Sequence, residues 1–218
     1  YVDLLRLAHA ESRGTATSDF AMILGRFEWD AHSGIWDLRE QLSAEQRKSL
    51  IAELDNLDRR REPWSVRLER QRIIEQNNGW ERDAALILED WSGKERNPWW
   101  RIDHFRRVTE LRILIVELSL RAYQLDYGRW PPRLAELVPD SLPEVPPDPF
   151  SNSDIIYQLV GDSYKLYSIG PDGIDDGGKR AVIQNGAYVG DFTPVALFRP
   201  PVVANQPATK NSGEESGP

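Results

Sequence analysis

The chain has 218 residues, 40% of them hydrophobic, with eight tryptophans and no cysteine, and 27 basic against 35 acidic side chains leave a net charge of −8. Without cysteine there are no disulfides and no thiolate metal sites, and the acidic balance argues against nucleic acid as main partner, since phosphate binding needs a basic face. The apolar fraction suffices for one folded domain or two small ones, and no run of about 18 apolar residues reads as a membrane-spanning helix.

The chain opens on Tyr1 rather than Met and shows no signal-peptide pattern. This reads as a segment of a longer protein, with any membrane anchor or export signal upstream. Residues 1–100 read as a Trp-rich helical region. Ser43-Ala44-Glu45-Gln46 has the capping-box pattern, and Leu50, Ile51, Leu54 and Leu57 then recur at helical spacing. That helix ends near Arg59-Arg60-Arg61-Glu62-Pro63, because Pro63 disfavours continuation and cations suit a helix C-terminus. A second apolar face runs through Trp80, Ala84, Ile87, Leu88 and Trp91 and stops at Ser92-Gly93.

A long helix is predicted over 100–127, the spine of the fold. Phe105, Val108, Leu111, Ile115, Leu118, Ala122 and Leu125 line one face at three- and four-residue steps, while Arg106, Arg107, Glu110, Arg112, Glu117 and Arg121 mostly take the other. At 1.5 Å per residue it would be about 40 Å long. Gly128 and Pro131-Pro132 stop it, and a short helix follows over Arg133 to Leu137.

From Val138 the texture changes. Pro139, Pro143, Pro146, Pro147 and Pro149 make an extended connector in which no helix can run. Two strand-like runs, Ile155 to Val160 and Tyr164 to Ile169, meet through Gly161-Asp162-Ser163 as a hairpin. Further strands are expected near Ala181 to Gln184, Tyr188 to Phe192 and Val195 to Phe198. The tail over 200–218 is rich in Pro, Gly, Ser and Glu and reads as disordered. The fold class expected is therefore α+β: a helical N-terminal region over 1–100 and a second unit over 101–199, whose spine helix packs on a small antiparallel sheet over 154–198.

Between the hairpin and the later strands lies Ser168-Ile169-Gly170-Pro171-Asp172-Gly173-Ile174-Asp175-Asp176-Gly177-Gly178, three carboxylates and four glycines before the first cation, Lys179. Carboxylates so crowded repel unless positive charge sits among them, and glycines let the backbone turn tightly enough to bring carbonyl oxygens alongside. Hard cations, Ca²⁺ above all, need that supply of oxygens. A plain surface turn rich in Asp and Gly is the alternative. The loop is not an EF-hand, because the required Asp/Asn order is missing.

The long helix, the turn Tyr123-Gln124-Leu125-Asp126-Tyr127-Gly128-Arg129-Trp130-Pro131, the proline connector with Asp148-Pro149-Phe150, the hairpin, and Leu166-Tyr167-Ser168-Ile169-Gly170-Pro171-Asp172-Gly173 follow in a recognisable order. Together they resemble the periplasmic part of the major pseudopilin of type II secretion systems, and are similar to the C-terminal module of a group of large bacterial envelope proteins. The resemblance covers about 111–192. It implies a pseudopilin-like module on the periplasmic side of the cell envelope and a bound Ca²⁺. The implied ligands are backbone carbonyls near Leu166 and Ile169, the Asp172 side chain, then Asp175 and Asp176, with Asp191 as a remote member. The family's longer spacer before an Asp-Ala-Asp pair is missing here. Pseudopilins also begin with an apolar membrane helix, whereas here the equivalent helix is charged and about 100 residues precede it. The resemblance thus implies fold and calcium loop rather than filament assembly or secretion, and a non-enzymatic structural or protein-binding role with protein partners.

Other readings stand beside it. The tryptophans would fill a core, line a ligand groove or, at Trp99-Trp100, lie near a bilayer surface. Glu28, Asp30 and Asp37 beside Trp29 and Trp36 supply carboxylates of the kind glycosidases pair, the basis for a hydrolase with its site in the helical half. A cytosolic helical adaptor is the third reading. His9, His32 and His104 are scattered, and no zinc-hydrolase, nucleophile-elbow or phosphate-loop signature occurs.

Overall fold

The structure, a computed structural model, describes residues 1–11, 18–69, 98–184 and 186–198. The apolar face expected through Trp80 to Trp91 and the tail from residue 200 lie outside them. At the centre is a 30-residue helix, Pro98–Tyr127, fourth in our numbering (α4). Before it come α1 (Val2–Glu11), α2 (Ser18–Leu38) and α3 (Ala44–Arg59), and 64–69 is also helical. After it come a 3-10 turn at Leu134–Leu137, the hairpin β1 (Ile156–Val160) and β2 (Ser163–Tyr167), the ladder β3 (Val182–Gln184) and β4 (Ala187–Val189), and a last helix α5 (Pro194–Phe198). The fold is α+β.

Local chemistry explains most boundaries. Ser43 accepts the Gln46 amide at 3.2 Å while the Gln46 side chain accepts the Ser43 amide at 2.9 Å, so the expected capping box starts α3. Pro98 suits the first turn of α4, where its missing N–H costs nothing, so that helix starts two residues before the expected Trp100. The hairpin register sets Ile156 opposite Tyr167 and Val160 opposite Ser163. The β elements are two separate two-stranded ladders rather than one small sheet. Isolated bridges, Ser168 to Phe192 and Arg180 to Asp191, tie them together. The expected strand at Val195 to Phe198 is instead α5. Thr193 caps it by accepting the Ala196 amide at 3.2 Å, and Pro194 supplies the first helical position.

One apolar core unites residues from both parts of the chain: Leu5, Ile35, Leu54, Leu111, Leu118 and Phe192 all belong to it. The spine helix is not the two-faced helix that its spacing predicts. Val108 to Leu111 and Ile113 to Leu120 are buried all round, whereas Leu125 is exposed. The charged side is covered because α2, α3 and the hairpin pack over it and bring counter-charges. Arg112 donates to Asp58 at 2.8 Å and to the Pro147 carbonyl at 2.7 Å. Glu117 receives the Tyr164 hydroxyl and lies 3.4 Å from both Arg39 and Arg121. Among the described residues no helix is long and apolar enough to cross a membrane.

Candidate functional site

The acidic loop is organised around Asp191, which is wholly buried. Its strand is held on both sides. Ser168 and Phe192 exchange backbone hydrogen bonds at 3.2 and 2.9 Å, the Asp191 amide donates to the Lys179 carbonyl at 2.8 Å, and the Ala181 amide donates to the Asp191 carbonyl at 2.8 Å. The carboxylate is thereby fixed under the bend. One oxygen accepts the Asp176 amide at 3.3 Å, and the other accepts the amides of Gly178 and Lys179 at 2.7 and 3.2 Å. Burial pushes the Asp191 pKa up, and the Gly178 and Asp176 amides pull against that rise.

Asp172 works in the reverse direction, from the loop to the strand. Its Oδ2 accepts the Gly190 amide at 2.7 Å, and its Oδ1 accepts the Ile174 amide at 3.2 Å, an Asx turn. Asp175 Oδ1 accepts the Tyr167 hydroxyl at 3.0 Å and the Gly177 amide at 2.9 Å. Burial, then the bond to Asp175, push the Tyr167 pKa up to about 12. Asp176 enters through its amide, and its side chain is exposed. Lys165 reaches in from β2 to the Gly177 carbonyl at 2.7 Å. Loop and strand cross so closely that a Cβ on Gly170, at φ +68°, would lie 2.8 Å from the Gly190 carbonyl oxygen. Only glycine fits there.

Of the six positions implied as ligands, Asp172, Asp175, Asp176 and Asp191 thus share one bend, while Leu166 sits buried in β2 opposite Tyr157. Ile169 gives its amide to Asp148, which the sequence argument used only as part of the connector and gave no place in the site. That side chain is wholly buried. Its Oδ1 accepts the Ser168 hydroxyl at 2.8 Å and the Phe150 amide at 3.0 Å, and its Oδ2 accepts the Ile169 amide at 3.2 Å. The signal was present as Asp148-Pro149, a turn-initiating pair after four prolines, but nothing in the sequence shows that the turn meets Ser168.

The donor chemistry, carboxylates and carbonyls with a tyrosine hydroxyl, fits a hard cation such as Ca²⁺ rather than a soft metal. The arrangement fits less well. Six backbone N–H groups already face the carboxylates of Asp172, Asp175 and Asp191. Among the described residues no three His, Asp or Glu side chains gather as a ligand set. Asp191 therefore has an anchoring task besides the ligation that the resemblance implies.

The remaining candidates fall elsewhere. Glu28 is buried between Arg61 and Arg107, 3.4 Å from each. Asp30 pairs with Arg26 on the surface at 3.2 Å, and Asp37 is exposed. Glu28 is thus separated from the other two by its ion pairs and its burial. His32 Nδ1 lies 3.3 Å from Glu110, both wholly buried in a contact that the sequence did not reveal. His104 packs against Trp64, ring centroids 5.1 Å apart. Burial, then the charges of Arg61, Arg67 and Arg107, lower its pKa to about 2. The side chain of His9 lies outside the described residues, as do Trp80, Trp91 and the side chains of Trp99 and Trp100. Trp29 donates to the Leu197 carbonyl at 2.9 Å, Trp36 stacks on Phe198 at 4.7 Å, and Trp130 donates to the Asp162 carbonyl at 3.0 Å. These three pin the C-terminal elements to the helices.

No family model, curated protein or solved structure matches the chain.

Proposed function

We propose that the chain is a non-enzymatic structural or protein-binding module of the bacterial cell envelope, on its periplasmic side, with a C-terminal lobe stabilised by Ca²⁺ at the Asp/Gly loop. The observation that supports this reading is that one bend holds Asp172, Asp175 and Asp176 near the buried Asp191, whose pKa is pushed up by burial first and also by the charges of Asp175 and Asp176. Like charges at such range are costly unless neutralised. A divalent ion would do this and cross-link the hairpin to β4, adding about 2.7 kcal/mol of stability when present at a hundred times its Kd. The test is thermal unfolding of metal-stripped protein with and without added Ca²⁺. Calcium should raise the melting temperature, and Asp172→Ala should erase the difference; unfolding indifferent to both calcium and chelator would end the calcium reading. Location is tested separately, by fractionating the host cells and asking whether the chain is on the periplasmic side.

A second reading of the loop rests on the six amides and Lys165. In it the backbone N–H groups and one ammonium supply the positive charge, and the loop holds itself without metal. Under that reading Asp172→Ala lowers the melting temperature equally with calcium or chelator. The structural role of the module survives either outcome.

A further inference from the structure

The apolar stripe of the spine helix runs on past the core that covers it. Leu111, Ile115 and Leu118 are buried and Ala122 is half-buried. Leu125, the next position at the same spacing, is 65% exposed, more than any other large apolar side chain among the described residues. It walls a groove of about 260 Å³ between the start of α3 and the end of α4, together with Ile51, Ala122 and the exposed Tyr127. We propose that this groove docks a short basic amphipathic segment of another protein, its apolar side chains on Leu125 and its Lys or Arg side chains on the rim. This rests on the protein-binding part of the function proposed above and is independent of the calcium loop. The volume falls just under the range of about 300–1,000 Å³ usual for drug-sized ligands, so the groove seats anchoring side chains while the rest of the segment lies over it.

Charge selects the partner. Glu45, Asp126 and Asp140 line the groove, are exposed, and form no ion pair among the described residues. Glu136 beside them is held by Arg133 at 3.2 Å. Among the described residues that line the groove, Lys48 is the one exposed cation. The Arg47 guanidinium is buried and turned to the Leu42 and Arg39 carbonyls, 2.9 and 3.3 Å away. Such a rim repels anionic lipid and nucleic acid. A second copy docking through the same face would set carboxylates against carboxylates. A segment with Leu and Lys at three- and four-residue steps answers both features at once. Its apolar face covers Leu125, and its cations meet the unpaired carboxylates, the groove-and-helix mode of peptide recognition.

The experiment is calorimetric titration of the full chain, in chelator so that the calcium loop plays no part, with three synthetic peptides of equal length. One has Leu and Lys at helical spacing, the second has Glu in place of Lys, and the third has Ser in place of Leu. The Leu/Lys peptide should bind, and the other two should bind at least about tenfold more weakly. Leu125→Ser should weaken the Leu/Lys peptide about tenfold. Asp126→Asn with Asp140→Asn should do the same and flatten the dependence on salt. All three positions are exposed, so these variants should unfold with wild type. Asp154→Asn with Asp162→Asn removes the same charge at exposed positions outside the groove and should change nothing. That control separates docking in the groove from attraction to a net charge of −8. Binding that survives Leu125→Ser overturns the groove and leaves a protein-binding role elsewhere, and no heat from the Leu/Lys peptide overturns the basic partner. A dimer in light scattering that Leu125→Ser disperses would make a second copy the occupant, which also overturns the proposal.

Discussion

Gly25 lies directly beneath the guanidinium of Arg107, so close that a Cβ at position 25 would stand 1.8 Å from Arg107 Nη1. A glycine inside α2 costs about 1 kcal/mol of helix stability relative to alanine, and the notch that it provides explains why one stands there. It lets Arg107 reach Glu28 and, at 2.7 Å, Asp103. Gly34, about two and a half turns on, faces the Tyr1 ring, which would lie 2.3 Å from a Cβ there, but Tyr1 is 60% exposed and can swing into solvent. The two glycines therefore respond oppositely. Gly25→Ala should destabilise by about 2 kcal/mol, because the buried guanidinium must leave Glu28. Gly34→Ala should be neutral or stabilise by up to about 1 kcal/mol. Urea unfolding of both variants checks this, and matching signs would refute the account of Gly25.

Asp191 and Asp172 also differ in what their loss exposes. Removing the Asp191 carboxylate leaves three amides under the loop without an acceptor, and an unsatisfied buried donor costs about 1–3 kcal/mol. Asp191→Ala should cost about 3 kcal/mol in chelator, and more in calcium, where the proposed ion loses the loop that holds it. Asp172→Ala frees the Gly190 and Ile174 amides in a half-buried, partly solvated bend and should cost about 1 kcal/mol in chelator. Unfolding of both variants in both buffers gives the comparison. An Asp191→Ala variant as stable as wild type would mean that the amides do not depend on that carboxylate.

What was readable in the sequence was whatever short-range chemistry decides. The Ser43 box, the proline stop after Tyr127 and the Gly161 hairpin each depend on residues within a few positions of one another. The α+β class followed from that punctuation. Readings that depended on distant partners fared less well. The charged side of α4 looks solvated until Asp58, Glu40 and Tyr164 arrive from other elements. Asp148 looks like a turn residue until the chain returns twenty residues later and places Ser168 against it. In the candidate site the sequence singled out four aspartates that do share one bend, but what they face, backbone amides, is invisible in a string of side chains.

His104 links the central helix to solution pH. Its pKa is held near 2 by burial and by the neighbouring arginines, with Glu28 opposing them. An unfolded histidine titrates near 6.5. The folded value is depressed, so this residue's contribution is complete above pH 6.5. It is lost as the pH falls, since the unfolded chain then binds a proton that the folded chain refuses. The loss is about 1.4 kcal/mol per pH unit below 6.5. His104→Phe keeps a ring against Trp64 and removes the buried Nδ1, which has no hydrogen-bond partner. Its stability should therefore fall less steeply than that of wild type between pH 6.5 and 4.5. Parallel curves from urea unfolding across that range would show that His104 takes up a proton in the fold.

The C-terminal clasp is the sharpest test of a local assignment. Alternation at Val195, Ala196, Leu197 and Phe198 would send Leu197 and Phe198 to opposite faces of a strand. Both are buried, at 1% and 3% exposure, while Val195 is 53% exposed. One helical turn, capped by Thr193, puts them on neighbouring parts of one face, where Phe198 stacks on Trp36 and the Leu197 carbonyl accepts the Trp29 indole N–H. Phe198→Ala should cost about 3–4 kcal/mol and shift the tryptophan emission to the red as Trp36 gains water. Thr193→Ala should cost about 1 kcal/mol through the lost cap. Val195→Ala should be neutral or slightly stabilising, because it touches no core and alanine is the better helix former. A strand would give a different ranking: Thr193→Ala would cost little and Val195→Ala would cost stability through lost β-branching. Measuring the three variants side by side by urea unfolding, with fluorescence as readout, decides between the two geometries.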